Sequence, residues 1–437
     1  MLACGPRACQ RGPAAVARLG ALALWLAAAL LTPSTAPAEP AIAGERPPPV
    51  WRVLFLRTSF ADVAAERPAS AFHRPDGGGL VDRLVAYYAE VSHGRFRIEP
   101  FLAERIYRLP KRRRGYVQRP RQLLADAIAL AERPEPAGEA RLLARARPDA
   151  VVVFFAGPGA ESDIRGKRRG RLPWSNAVMG GALASIAGRP IERGMVIAEQ
   201  PFEPLSPFGV LAHEFGHALG LPELYAPGKP HEGIGVWGLM GQGTWLGHGD
   251  HPPHLSAWSK LALGWAEVET VERSGRYRLE AVERSGRVLK ILAKGPAFPD
   301  EYFLIENRER IGADRWLPGQ GLLVWHVDDS RTSFRHSQDQ ARHKRVDLLT
   351  ADSWPSDLDR GHVAGGNRGD AGDPWADRAL GPGPRTRPGT GPYDGTPGRF
   401  EIRDISPAGE TMSFEIVFTE RAPKPRPSGG DGPRLSR

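Results

Sequence analysis

The sequence predicts a two-part fold, an α/β unit followed by an all-β sandwich, and three observations carry that reading. Between positions 51 and 200, apolar runs suited to strands interleave with stretches of helical periodicity, and a long apolar helix follows them. Beyond Trp265 the helical signal fades. Short alternating runs recur there, separated by Gly, Pro and Asp, which is the pattern of a sandwich of about 150 residues. Finally, 51 Gly and 42 Pro in 437 residues favour turns over long helices.

Taken in order, WRVLFLRTSF (51–60) opens the fold as an apolar strand. LVDRLVAYYAEVSHG (80–94) has helical spacing and stops at Gly94, and RFRIEPFLAERIYRLP (95–110) alternates as half-buried strands do. RQLLADAIALAERP (121–134) reads as an amphipathic helix stopped by Pro134. DAVVVFFAGPG (149–159) is a buried strand running into glycines, and ERGMVIAEQ (192–200) is another strand before the helix of VLAHEFGHALGLPELY (210–225). The second part is carried by RYRLEAV, RVLKILA, EYFLIENRE, GLLVWHVDD, RVDLLTA, RFEIRDI and TMSFEIVF. Expected boundaries are 1–38 for an export signal, 39–265 for the α/β unit and 266–420 for the sandwich; 421–437 is a polar Pro/Gly tail expected to be disordered.

The export signal rests on Arg7, Arg11 and Arg18, the apolar run LGALALWLAAALL (19–31) and the small residues APA (36–38). Thirteen apolar residues are too few for a comfortable membrane span. The alternative, a short amphipathic helix, finds no alternation in the run. Cleavage after Ala38 would remove Cys4 and Cys9, leaving a secreted chain without thiols or disulfides. Any metal would then be held by nitrogen and oxygen. Net charge is +9, and the three arginines of 1–38, unopposed by acids, bring the remainder to +6 (9 − 3). KRRRG (111–115) and RGKRRGR (165–171) have no interleaved aromatics for base stacking, so nucleic acid is not an expected partner. Weak attraction to acidic cell-surface polymers is all they imply.

The chemistry concentrates in VLAHEFGHALGLPELY. Four residues apart on a helix, His213 and His217 share one face and can both reach one Zn²⁺. Glu214, beside them, is placed to take a proton from a metal-bound water. Gly220 fits a left-handed cap that ends the helix and returns Glu223, ten residues after His213, toward the same point. The bland alternative is a surface helix with solvated histidines. Among 437 residues with 12 His, a chance H-E-x-x-H arises in roughly a few per cent of chains, and the Gly and carboxylate make coincidence rarer still.

With its glycine the motif takes the metzincin form, and HEFGHALGLPELY resembles the immune inhibitor A family of secreted bacterial metalloproteases. YYAEVSHGRFRI, VVVFFAGPG, GVWGLMGQGTW, HLSAWSKLALGW, EYFLIENR and GLLVWHVDD extend the resemblance over roughly residues 51–418. It implies a metzincin-like zincin fold for the α/β unit, His213 and His217 as zinc ligands, Glu214 as general base and Met240 as the methionine beneath the metal. Core packing is the simple alternative for Met240. Family members generally carry Asp where Glu223 stands, so His254 is an alternative third ligand or transition-state donor, and Tyr225 an alternative oxyanion donor. Asp370 and Asp373, in GNRGDAGDPW (366–375), suit Ca²⁺ or an ordinary Asp-Gly turn. The family's usual propeptide and further C-terminal modules have no evident counterpart.

The expected activity is therefore zinc-dependent endopeptidase chemistry on protein or peptide substrates, by an exported monomer without stable membrane insertion. Two rivals remain at this point: a non-catalytic zinc-stiffened protein that binds cell-surface polymers, and a zinc hydrolase of a non-peptide amide.

Overall fold

The computed structural model describes residues 48–133, 142–143, 145–163, 165–295, 297–353, 355–361 and 365–419. The expected export signal with Cys4 and Cys9, and the expected tail, lie outside them. No helix among the described residues is long and apolar enough to cross a membrane. Within RGKRRGR, residues 165–168, 170 and 171 are exposed, and Arg169–Arg171 form a single 3-10 turn.

A five-stranded sheet organises the first part. Its strands are β1 (Val50–Ser59), β2 (Arg97–Arg108), β3 (Ala150–Phe155), β4 (Asn176–Ile186) and β5 (Arg189–Ala198), ordered β2-β1-β3-β5-β4. All neighbours are parallel except β4 and β5, which form an antiparallel edge. Successive strand residues face opposite sides, and here both sides are covered. Val53, Phe55, Val152, Phe154, Met195 and Ile197 face one core, while Leu54, Leu56, Val151, Val153, Phe155 and Val196 face the other. That two-sided burial is why the VVVFF run is continuous rather than alternating.

Helix α2 (Pro120–Ala131) covers the second face, with Leu123, Leu124, Ala127, Ile128 and Ala131 at helical spacing. Proline at its first position loses no hydrogen bond, since that N–H has no partner inside a helix. On the first face lie α1 (Leu80–Val91) and α3 (Phe208–Ala218). From α1, Leu84, Tyr88 and Val91 enter that core; from α3, Leu211, Ala212 and Phe215. Tyr88 Oη donates to the Ala212 carbonyl at 2.7 Å, so α1 fixes the turn of α3 that precedes the H-E-x-x-H stretch.

The second part holds two further sheets. One has five strands, ordered Val346–Leu348, Gly321–Asp328, Glu301–Arg308, Arg287–Leu292 and Glu267–Thr270. The other has four, ordered Arg378–Leu380, Phe400–Ile405, Thr411–Phe418 and Gly275–Glu280. Their apolar faces meet through Leu289, Ile291, Phe303, Ile305 and Val324 on one side and Leu279, Phe400, Ile402, Met412 and Phe414 on the other. The opposite face of the five-stranded sheet (Tyr302, Leu304, Leu323, Trp325, Val327) joins the core of the α/β unit, alongside helix α4 (Ala257–Leu263). Strands Glu301–Arg308 and Gly321–Asp328 are therefore buried at every position, unlike the half-solvated alternation their sequences suggested.

The join between the parts is ionic as well as apolar. His93, just past α1, is pushed down to about 4 by burial, then by the charges of Lys260, His254 and Arg95, with Glu90 opposing. A histidine whose folded pKa lies below its unfolded value contributes stability in full above about pH 6.5, and loses it as pH falls toward 4. The residue is only partly buried, so solvent screening reduces the effect to about 1–2 kcal/mol. Urea unfolding should show this loss between neutral and mildly acidic pH. His93→Asn, which tolerates the φ of +52° at this position, should remove much of it. An unchanged pH dependence in that variant would assign the acid sensitivity elsewhere.

Candidate metal centre

Helix α3 positions the first two candidate ligands. His213 and His217 are buried, with ring centroids 4.7 Å apart. Each ring is fixed through Nδ1. His213 Nδ1 lies 3.1 Å from the Leu239 carbonyl and 2.9 Å from Thr244 Oγ1, which itself donates to Leu239 at 3.0 Å. His217 Nδ1 lies 2.8 Å from the Leu221 carbonyl. A carbonyl only accepts, so Nδ1 carries a proton in both rings, and in the neutral imidazole Nε2 is left with a lone pair.

The third candidate arrives through a tight reversal. Gly220 has φ +101°, a backbone that glycine adopts without penalty. Around it, Gly220 N donates to His217 O at 2.8 Å and Leu221 N to Gly216 O at 3.1 Å. Glu223 then points back at the helix. Its Oε2 lies 3.2 Å from His213 Nε2 and its Oε1 3.2 Å from His217 Nε2. Oε2 is buried without a hydrogen-bond partner, while Oε1 accepts from Tyr225 Oη at 3.0 Å. One ligand atom from each of His213, His217 and Glu223 falls within 4.8 Å of the others. Two imidazole Nε2 atoms and a carboxylate facing one another are held together by a positive charge between them, a proton or a metal ion. The donor set, N₂O with an orphaned carboxylate oxygen, fits Zn²⁺.

Electrostatics agree. Burial would raise the Glu223 carboxyl, yet the charges and hydrogen bonds of His217 and His213 hold it well below the usual range. Burial likewise opposes charging His217, but Glu223 and Glu214 raise it to about 9. Without a metal, the trio compensates its own negative charge by keeping a proton.

Glu214 lies against the antiparallel edge strand. Its Oε2 accepts the N–H of Ala177 on β4 at 2.6 Å. Burial lifts its carboxyl above the usual range, against the pull of His217 and His213. Met240 sits beneath the helix and is buried. A side chain at Gly216, inside the motif, would come within 2.5 Å of Met240 Sδ, so the glycine is what lets the methionine approach the backbone between the two histidines. Met240 O accepts from Leu224 N at 2.9 Å, tying this turn to the loop that carries Glu223.

Two of the sequence candidates are not brought to the centre as ligands or donors. His254 is fully buried elsewhere, with Nε2 3.4 Å from Glu90 Oε1 and its backbone N–H donating to Asp314 at 2.8 Å. Its carbonyl accepts from Leu239 N at 3.3 Å, so it braces the Met240 turn. Tyr225 is near, but its hydroxyl is committed to Glu223. Asp370 and Asp373 belong to a different cluster. Sequence reasoning missed Thr244, Ala177 and Phe334; the Phe334 ring reaches from the second part to within 5.6 Å of the His217 ring. Only Thr244 had a local signal, a hydroxyl four residues past the methionine.

Residues 177–266 match the immune inhibitor A peptidase M6 catalytic domain. That span holds His213, Glu214, His217, Glu223 and Met240, together with the edge strand that contacts Glu214. The pre-pro-metalloprotease PrtV of Vibrio cholerae serotype O1 is 29% identical over 130 residues, in strain M66-2 and in strain El Tor Inaba N16961 alike. The alignment takes in 26% of this chain but only 14% of PrtV. Both matches are to metallopeptidases, and over the segment that carries the candidate centre the family is the one the sequence resembles: immune inhibitor A peptidases of type M6.

Proposed function

We propose that this chain is an exported zinc endopeptidase with a metzincin-like catalytic unit. The observation that carries the reading is the convergence of two imidazole Nε2 atoms and the Glu223 carboxylate, each imidazole 3.2 Å from it, beside a second, partly buried carboxylate on the same helix. His213, His217 and Glu223 would hold the ion. When bound, Zn²⁺ supplies Lewis acidity, polarising a carbonyl and lowering the pKa of a coordinated water to about 7.

The chain's own residues supply the rest. The Leu239 and Leu221 carbonyls fix the imidazole tautomers and orientations, a control that outer partners exert on metal affinity. Glu214, desolvated and anchored at Oε2, takes a proton at the attacking water and returns it to the leaving amine. Tyr225 keeps Glu223 oriented. Phe334 brings an apolar surface from the second part to the flank of His217.

The test measures bound zinc and casein cleavage together on the chain lacking residues 1–38. One zinc per chain and cleavage abolished by chelator are expected. Glu223→Ala should lower zinc affinity by about 100-fold or more and lose activity with it. Absence of zinc from the wild type would overturn the reading, and full zinc retention in Glu223→Ala would remove Glu223 from the ligand set.

A further inference from the structure

A second group of carboxylates lies away from the zinc ligands. Asp352, Asp370 and Asp373 each place one oxygen within 4.8 Å of the others. Two loops of the second part bring them together. The first follows the strand Val346–Leu348, and the second is the GNRGDAGDPW stretch, pinned by Ala351 N donating to Asp373 O at 2.9 Å and Trp375 Nε1 to Leu349 O at 2.7 Å.

Asp373 is the anchor. It is fully buried, and its Oδ2 accepts from Trp237 Nε1 at 2.7 Å and from Asp370 N at 2.9 Å. Its Oδ1 is buried with no hydrogen-bond partner. An orphaned carboxylate oxygen at full burial is costly unless something positive meets it. The neighbouring charges only worsen that cost: Asp357 and Asp352 repel Asp373, and Asp370 and Asp357 repel Asp352. Asp352 is the exposed member, its carboxylate lying against Gly372, where an added side chain would come within 2.3 Å of Oδ2. The cluster is thus closed at the Asp373 end and open to solvent at the Asp352 end, as an ion entry path requires.

We propose that Asp352, Asp370 and Asp373 form a divalent-cation site, suited to Ca²⁺, that clamps these two loops against the Met240 turn. All-oxygen donors on irregular loops suit Ca²⁺, which accepts six to eight oxygens in flexible geometry, better than Mg²⁺ with its strict octahedron. The clamp runs through Trp237, whose indole is held by Asp373, and through Val236, whose N–H donates to Arg368 O at 2.7 Å. Trp237 precedes Met240 by three residues. This site stands on residues independent of the zinc reading.

The probe is Ca²⁺ itself, added to the zinc-replete chain lacking residues 1–38 and read by equilibrium dialysis and thermal unfolding. One Ca²⁺ should bind, and at about a hundredfold excess over Kd it should raise Tm by roughly 5 °C. Asp352→Asn, at an exposed position that does not threaten folding, should weaken Ca²⁺ binding at least about tenfold with zinc content unchanged. Asp373→Asn should abolish it, its amide oxygen still serving Trp237. Wild type that binds no Ca²⁺ at millimolar concentration, or Asp352→Asn that binds it as tightly as wild type, would overturn the proposal. Loss of zinc without loss of Ca²⁺ binding would count against the zinc reading alone.

Discussion

Glu214→Gln is expected to lower kcat for casein by about 10²–10⁴-fold while zinc content and Tm stay at their wild-type values. The reason is that the substitution separates two jobs. Glu214 accepts the Ala177 N–H through Oε2 and so helps hold β4, the antiparallel edge, against α3. An amide oxygen of the same size can accept that N–H equally well, so the packing should survive. What glutamine lacks is the ability to take up and release a proton. If Glu214 were only a strut for the edge strand, the variant would keep its activity, and the hydrolytic mechanism would have to be abandoned. Glu214→Ala supplies the contrast: it removes the hydrogen bond as well as the base, so it should also lower Tm. A protein that merely bound zinc would show no difference between wild type and Gln in any catalytic assay.

Much of this site was legible because its parts are close in sequence. His213 and His217 are one helical turn apart, so their shared face follows from helix geometry alone. Glu223 was legible through Gly220, whose φ of +101° makes the reversal that the sequence spacing called for. Contacts between distant segments left no such trace. Thr244 beneath His213, Ala177 on Glu214 and Asp352 opposite Asp373 are joined only by the fold, and no periodicity marks them.

The missed strands share a physical cause. In β4 the pair Gly180 and Gly181, at φ +84° and +66°, interrupts the alternation, and the register with β5 shifts between Met179 and Ala184. Glu267–Thr270 and Arg378–Leu380 bury no residue, so no apolar face announced them. Glu301–Arg308 was legible as a strand, but its full burial was not. The polar Glu306, Asn307 and Arg308 at its end are fully buried, Glu306 and Arg308 against the α/β unit through Ala257 N and the Trp237 carbonyl. His254 misled because it is drawn into that ionic join by Glu90 and Asp314 rather than toward His213, His217 and Glu223.

That join makes Arg308→Met the substitution expected to cost most stability, about 3–5 kcal/mol in urea unfolding. Arg308 is fully buried at the end of its strand. Its Nη2 and Nε donate to the two oxygens of Asp314 at 2.6 and 2.7 Å, a bidentate pairing. Nη1 donates to Glu306 at 3.3 Å, and Nε lies 3.2 Å from Glu283. Burial opposes its charge, but Asp314 and Glu306 more than reverse that, so the guanidinium stays charged. Methionine fills comparable space yet leaves the carboxyl groups of Asp314, Glu306 and Glu283 buried together with no guanidinium between them, and the cost is that uncompensated burial rather than the lost attraction. Arg308→Lys tests this: it restores the charge without the planar fork, and should recover part of the stability but not all. The effect should also reach the metal centre. Arg308 Nη1 donates to the Trp237 carbonyl at 3.1 Å, three residues before Met240, and Asp314 holds the His254 backbone whose carbonyl accepts from Leu239. Leu239 in turn orients His213. Zinc affinity should therefore fall in Arg308→Met even under conditions where the variant is folded. A variant that unfolds at the wild-type urea midpoint would show that the carboxylates find other partners. One that loses stability but keeps wild-type zinc affinity would show that the join supports the fold without steering the ligands.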